Sequence, residues 1–374
     1  MEGWTASTLE KACDMYQPKT ITANEMTPIG RYPVYGANGV IGRYDQFNHE
    51  EPQLLITCRG ATCGSVNVSA PQAWITGNAM VVRPKTPAIE LRFLEYLFRG
   101  GLDISRAITG AAQPQITRAN LNPIKFRYPI SIPEQRRIVA VLDEAFEAIA
   151  TAKANTEKNM QNAREIFTTV RVSIFTAGSG AWPIKTLPEL AQNLDSKRVP
   201  ITKSDRNVGE FPYYGASGIV DYVADYIFDG DTLLISEDGA NLLARSTPIA
   251  FSVSGRYWVN NHAHILKFND MATQRFVELF LESIPLDKYI TGAAQPKLNQ
   301  KALNSIPIPI PVTGEQQRQV VDRLDVLAEQ SEALQDILER KHGALDELKK
   351  SLLHQAFTGA LTDKSTDKQV AEIA

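Results

Sequence analysis

The chain is poor in cysteine: three in 374 residues, an odd number. That excludes a disulfide framework and fits a reducing compartment. Long apolar runs are missing, and none approaches the roughly 20 residues a membrane span needs. The N-terminus, MEGWTASTLEKAC, lacks the charged-then-apolar pattern of a secretory signal. Together these point to a soluble cytoplasmic protein with no membrane partner. Charge of one sign is also lacking. The net charge is −3, with 22% charged and 43% hydrophobic residues, which are ordinary globular values. Residues 1–133 are slightly basic and residues 176–314 slightly acidic. Any affinity for nucleic acid must therefore come from local patches or from a more basic partner.

Catalytic signatures are scarce as well. No glycine-rich nucleotide loop of the Walker or dinucleotide type occurs. The tetrapeptide of amino-methylation, Asn or Asp, two prolines and an aromatic, is absent; Asn122-Pro123-Ile124-Lys125 comes nearest and lacks both the second proline and the aromatic. His262 and His264 stand two apart on a predicted strand, facing one side. No further ligands with metal spacing accompany them, so no metal is expected. Cys58 and Cys63 lack a second pair and read as structural.

What is present is repetition. ITGAAQP occurs at Ile108–Pro114 and again at Ile290–Pro296, an offset of 182. The same offset carries Gln135-Arg136 onto Gln317-Arg318, Leu142-Asp143 onto Leu324-Asp325 and Phe175-Thr176 onto Phe357-Thr358. Upstream the offset is slightly smaller. There Tyr35-Gly36-Ala37-Asn38-Gly39 matches Tyr214-Gly215-Ala216-Ser217-Gly218, and Leu54-Leu55-Ile56 matches Leu233-Leu234-Ile235. The chain is thus one unit built twice, and its period is far too long for a solenoid. Asp229, Asp231, Glu237 and Asp238 could suggest a metal-dependent nuclease. The first-copy counterparts of Glu237 and Asp238 are Cys58 and Arg59, so a solvated loop, or acids accepting from cytosine N4, is the expected reading.

Each copy has two parts. The first is an α+β domain, residues 1–132 and 177–313. Predicted strands are Leu54–Thr57, Val66–Val68, Trp74–Val82, Thr232–Ser236, Pro248–Val253 and His264–Phe268, with helices at Ile89–Phe98 and Thr273–Leu281. The second part is a long helix, 133–176 and 314–360, followed by a tail, 361–374, expected to be disordered. In the second helix Val320, Leu324, Leu327, Ser331, Leu334, Leu338, Lys341, Leu345, Leu348 and Leu352 step by four and three. In the first, Ile138, Leu142, Ala145, Ile149, Ala152, Thr156, Asn159, Ala163, Ile166 and Val170 keep the same register. Pro133 is placed just before the first helix, with Glu134 in its first turn. About 40 residues at 1.5 Å each give a rod of roughly 60 Å. Two such helices in one chain predict an antiparallel coiled coil, with two homologous α+β domains related by a pseudo-twofold axis.

At these residues the sequence resembles the specificity (S) subunit of type I restriction-modification systems. The resemblance rests on ITGAAQP followed by Leu121-Asn122 or Leu303-Asn304. It also rests on the proline-rich Ile130–Pro133 and Ile306–Pro311, on Glu134-Gln135-Arg136 or Gln316-Gln317-Arg318 leading into a long helix, and on the Tyr-Gly-Ala-x-Gly turns. It implies two target recognition domains, each reading one half of an interrupted duplex DNA sequence. It implies a spacer whose length sets the gap and which docks two methyltransferase (M) subunits. Those subunits would bind S-adenosylmethionine and methylate adenine N6, and motor-nuclease (R) subunits could join them. The chain itself would carry no cofactor and no catalytic centre. The rival expectation is a coiled-coil adaptor that grips proteins instead of DNA; the acidic second domain is its best support.

The two copies should differ where they read different bases and agree where they share structure. On that ground Asn38, Arg43, Arg59, Asn241 and Arg245 are candidate DNA contacts, since arginine and asparagine pair bidentately with guanine and adenine. Lys197 and Arg198, in a basic stretch with Lys203 and Arg206, are candidates for phosphate. The shared Gly110, Gln113, Pro114, Gly292, Gln295, Pro296, Arg136 and Arg318 are candidates for scaffold or partner docking, and the ITGAAQP loop is expected to fasten each domain to its helix.

Overall fold

A computed structural model describes residues 3–292 and 294–361. The expected tail lies, but for Leu361, outside the described residues. The first domain contains β1 (Trp4–Thr8), β2 (Cys13–Tyr16), β3 (Tyr32–Gly36), β4 (Gly39–Tyr44), β5 (Leu54–Thr57), β6 (Val66–Val68), β7 (Trp74–Ile75), β8 (Ala79–Pro84), β9 (Ile108–Thr109), β10 (Gln115–Ile116) and β11 (Lys125–Pro129). The second contains β12 (Ile184–Lys185), β13 (Ala191–Asn193), β14 (Val208–Gly215), β15 (Gly218–Val223), β16 (Phe228–Asp229), β17 (Thr232–Ser236), β18 (Ala250–Val253), β19 (Arg256–Val259), β20 (Ala263–Phe268) and β21 (Ile308–Pro309).

The sheets repeat as the sequence does. A four-stranded sheet β2-β8-β5-β6 has its equal in β13-β20-β17-β18, the pair β1-β11 in β12-β21, and β4-β3-β7 in β15-β14-β19 with β16 added at the edge. β5 and β17 are central and lie in a buried sheet, hence their unbroken apolar runs Leu54-Leu55-Ile56 and Leu233-Leu234-Ile235, all at most 1% exposed. The strand expected over Trp74–Val82 is two strands. Thr76-Gly77-Asn78 interrupts it, and β7 pairs parallel with β3 while β8 joins the other sheet.

Two compact units divide the chain: residues 1–156 with 340–374, and residues 157–339. Each contains one domain, part of the helix Ile132–Gly178 and part of the helix Gly314–Thr358. Ser131 and Thr313 cap these helices, their hydroxyls accepting from the Glu134 and Gln316 amides at 3.4 and 3.3 Å. Pro133 lies inside the first turn, where a missing N–H costs nothing. Within each unit the two helix segments run antiparallel. In the first, Lys153 meets Asp346 at 2.8 Å and Lys349 lies 5.0 Å from the Phe146 ring. In the second, Arg164 donates to Gln335 at 2.6 Å and Ser331 to the Ala163 carbonyl at 3.1 Å.

Only part of the expected seam is buried. Leu142, Ile149, Thr156, Ala163, Leu324 and Leu338 are sequestered, whereas Ile166 is 55%, Leu334 44% and Leu348 46% exposed. A pair of helices touches along one line, and a straight helix drifts off a 3.5-residue repeat, so the second line turns to solvent.

The repeated residues explain how helix and domain are joined. Gln135 is fully buried. It donates to the carbonyls of Ala88 and Pro129 at 2.9 and 2.8 Å and accepts from the Glu90 amide at 2.8 Å. Gln317 donates to the Pro311 carbonyl and accepts from Thr273. Asp143 holds Arg92 at 2.5 Å, as Asp325 holds Arg275 at 2.7 Å. Phe175 enters the core of the second domain against Phe276 and Phe280, while Leu353, Ala356 and Phe357 complete the core of the first.

Candidate nucleic-acid interface

Three loops of each domain meet at the C-terminal end of the central strand, β5 or β17. The first is the turn of the β3–β4 or β14–β15 hairpin, where Gly39 and Gly218 take φ of +107° and +116°. The second follows β5 or β17. The third is the ITGAAQP loop. Thr57 and Ser236, ending β5 and β17, donate their hydroxyls to the Ala37 and Ala216 carbonyls and so tie the first loop to the second. The amides of Gly60 and Gly239 donate to the carbonyls of Pro114 and Pro296, both at 3.0 Å, and tie the second to the third. The Ile116 amide donates to the Cys58 carbonyl, and the Leu298 amide to that of Glu237.

The ITGAAQP loop is therefore laced to the loop where the copies diverge. Fastening to the helices falls to Gln135, Asp143 and their counterparts, which corrects the expectation that ITGAAQP does this. Its glycine is obligatory. Gly110 and Gly292 have φ of +88° and +86°, and a Cβ on either would stand 2.5 Å from the carbonyl oxygen of Gln113 or Gln295. Gln113 and Gln295 are exposed, whereas Pro114 is half-buried and Pro296 buried. Arg136 and Arg318 point outward to solvent beside their buried glutamines.

The shared scaffold carries different chemistry in its two copies. β-sheet register sets Met80 against His264, each opposite the isoleucine before the diverged loop. The first copy has Cys58, Met80 and Gln115 here, and burial raises the Cys58 thiol above its ordinary value. The second has Glu237, His264 and Lys297. Arg198 bonds Glu237 at 2.7 Å and the Ala263 carbonyl at 2.8 Å, and Lys297 meets Glu237 at 3.1 Å. His264, 1% exposed, places Nδ1 2.6 Å from Asp195 and Nε2 2.8 Å from the Leu298 carbonyl. Burial alone would raise the carboxyls of Asp195 and Glu237. For Asp195 the hydrogen bond and charge of His264 outweigh it; for Glu237 the Arg198 bond, His264 and Lys297 do. Both acids sit below the usual carboxylate range.

Asp195, Glu237 and His264 also bring ligand atoms within 4.8 Å of one another. Two protein cations already neutralise Glu237, and a carbonyl occupies the second nitrogen of His264, so the trio is an ion-paired brace. Spacing along the chain could not reveal it, because Asp195 arrives from a neighbouring strand end. His262 does not share its face; it lies before β20 and pairs with Asp238 at 2.9 Å. Asp229 pairs with Arg256.

Several candidate readers are engaged internally. Arg43 donates to the carbonyls of Gly30 and Arg31 at 2.5 and 2.7 Å. Arg245, in a left-handed conformation, reaches the carbonyl of Ile284 at 2.9 Å, and burial lowers its pKa from the ordinary value. Asn241 holds the Ser246–Thr247 turn through its own amide. Arg198 belongs to the buried brace, and Arg206 pairs with Asp221 while lying over Tyr213. Each of these side chains thus spends part of its hydrogen-bonding capacity inside its own domain, although an arginine has five N–H donors and Arg43 remains exposed. Asn38, Arg59 and Lys197 are exposed; Asn38 accepts a 3.3 Å bond from Thr57.

A family model described as the type I restriction modification DNA specificity domain matches this chain twice, over residues 1–159 and 180–340. The chain belongs to that family. Similar to this specificity chain are a putative type I restriction enzyme specificity subunit of Haemophilus influenzae, 36% identical over 143 residues, which are 38% of this chain and 36% of the relative, and the EcoprrI type I specificity subunit of Escherichia coli, 28% identical over 141 residues, 36% of this chain and 34% of the relative. The chain thus spans about a third of the length of the curated relatives it matches. In fold it is similar to a structure describing complex assembly and conformational transition of the type I system, with TM-score 0.77, 18% identity and coverage of 96% and 99% of the two chains. The HsdS subunit of Thermoanaerobacter tengcongensis is also similar, with TM-score 0.64, 18% identity and coverage of 96% and 98%. Among the described residues of this specificity chain, no helix is long and apolar enough to cross a membrane.

Proposed function

We propose that the chain is the DNA-reading, non-catalytic subunit of a cytoplasmic type I restriction-modification complex. Each domain reads one half of a bipartite duplex sequence, and the helices set the gap. One observation carries this reading: a scaffold repeated down to single hydrogen bonds presents different side chains at the same edge of each domain. Such divergence suits two half-sites of different sequence. Phosphate contacts can position a domain, but base edges must specify it.

The residues that suit reading are Asn38 and Arg59 in the first domain, with Lys197 available to phosphate in the second. The exposed apolar residues Ile166 and Leu334 in the second unit, and Leu348 in the first, suit docking of two M subunits, which would bring S-adenosylmethionine and adenine methylation; R subunits would join them for cleavage. Methylome sequencing of a host carrying the complex tests the proposal. A bipartite methylated motif is expected, and Arg59→Ala should alter one half of it. A continuous motif, or no sequence-specific shift of DNA by the assembled complex, would favour the adaptor instead.

A further inference from the structure

The ITGAAQP loop has a feature that its ties to the diverged loop do not explain. Among the described residues its two ends are tied alike in both copies: Thr109 pairs with Gln115, and Thr291 with Lys297. Left-handed Gly110 and Gly292 turn the loop, and the proline carbonyls lock it to the diverged loop. Yet the residue before each proline, Gln113 or Gln295, is exposed, and its side chain hydrogen-bonds no other described residue. A loop tied at both ends that presents, in both copies, a primary amide without a hydrogen-bond partner among the described residues is prepared to bind something both copies meet.

We propose that Gln113 and Gln295 contact DNA, each pairing through its amide with an adenine at the equivalent position of its half-site. The inference rests on the DNA-reading function proposed above. Two arguments favour it. Arg59 bridges Gln115, and Asp238 bridges Lys297, so whatever touches the diverged loop lies beside this one. A glutamine amide also matches adenine N6 and N7 as donor and acceptor in the major groove. The loops that differ then read what differs between the half-sites, and the shared glutamine reads what they have in common.

The test uses the full chain assembled with its methyltransferase subunits, as wild type, Gln113→Ala and Gln295→Ala. Each variant should relax one adenine of the methylated motif. Gln113→Ala should act in one half and Gln295→Ala at the corresponding place in the other. Specific binding should weaken by about tenfold to a hundredfold, with thermal midpoint and subunit assembly unchanged. An unaltered motif with unaltered binding would overturn the proposal alone. So would weakening of all DNA sequences alike, which would mark a backbone contact, and so would loss of subunit assembly, which would mark a protein-docking loop. A wild-type complex that methylates no bipartite motif would overturn the parent reading together with this one.

Discussion

Gly110 and Gly292 show how one residue type can be dictated by geometry in two places. Alanine at either would need a positive φ and would press its Cβ on a carbonyl. Gly110→Ala or Gly292→Ala should therefore destabilise its domain by about 1–3 kcal/mol, read by urea denaturation. Arg245→Ala tests the distinction between holding and reading. Its guanidinium ties the Asn241–Ala244 turn to the end of the Met271–Ser283 helix. The variant should lower the melting temperature of the second domain and leave the methylated motif intact, the reverse of Arg59→Ala. Asp195 gives a pH dependence. Its folded pKa lies below its unfolded value of about 3.9, so it stabilises the fold above that pH, and the contribution is lost as pH falls through the folded value. Acid titration should thus weaken the second domain below about pH 4, and Asp195→Asn should flatten that limb while lowering stability at neutral pH.

At the scale of elements, the helix starts are where the duplicated sequence is most literal. Gln135 meets three backbone groups from two segments, the turn before the Leu91–Tyr96 helix and the end of β11, and an apolar residue there would strand all of them. Gln135→Leu should cost about 2–4 kcal/mol, seen as early unfolding of the first domain in calorimetry, while Arg136→Leu, on the exposed face, should leave the melting curve unchanged. The heptad pattern announced two long helices of equal register. It overstated their contact, because apolar spacing specifies which face is oily and not how much of it a partner covers. Leu334 and Leu348 obey the spacing and still face solvent.

At the scale of the whole molecule, the first compact unit joins residues 1–156 to residues 340–374, whereas the second, residues 157–339, is continuous. Leu353 lies at the far end of the sequence and is 6% exposed in the core of the first domain; Phe175, which follows the first domain, is 3% exposed in the core of the second. Leu353→Ala should therefore raise hydrogen exchange in residues 1–130, and Phe175→Ala in residues 180–310, each by destabilisation of about 2–5 kcal/mol. Exchange that rose in the second domain for Leu353→Ala, or in the first for Phe175→Ala, would contradict this assignment.

The sequence by itself determined the duplication, the α+β character of both domains, the two helices and the family. All of these are written in local periodicity and in residues repeated at a fixed offset. It also separated shared from diverged loops, because comparison of two copies needs no coordinates. It could not tell an arginine left exposed from one that holds the fold: Arg59 and Arg245 look alike along the chain, and only tertiary structure sets the second against the carbonyls of Leu281 and Ile284. Nor could it join Asp195, Glu237 and His264, or bring ITGAAQP against the diverged loop. Hydrogen-bond partners distant in sequence are chosen by how strands pack, and periodicity carries no record of that choice.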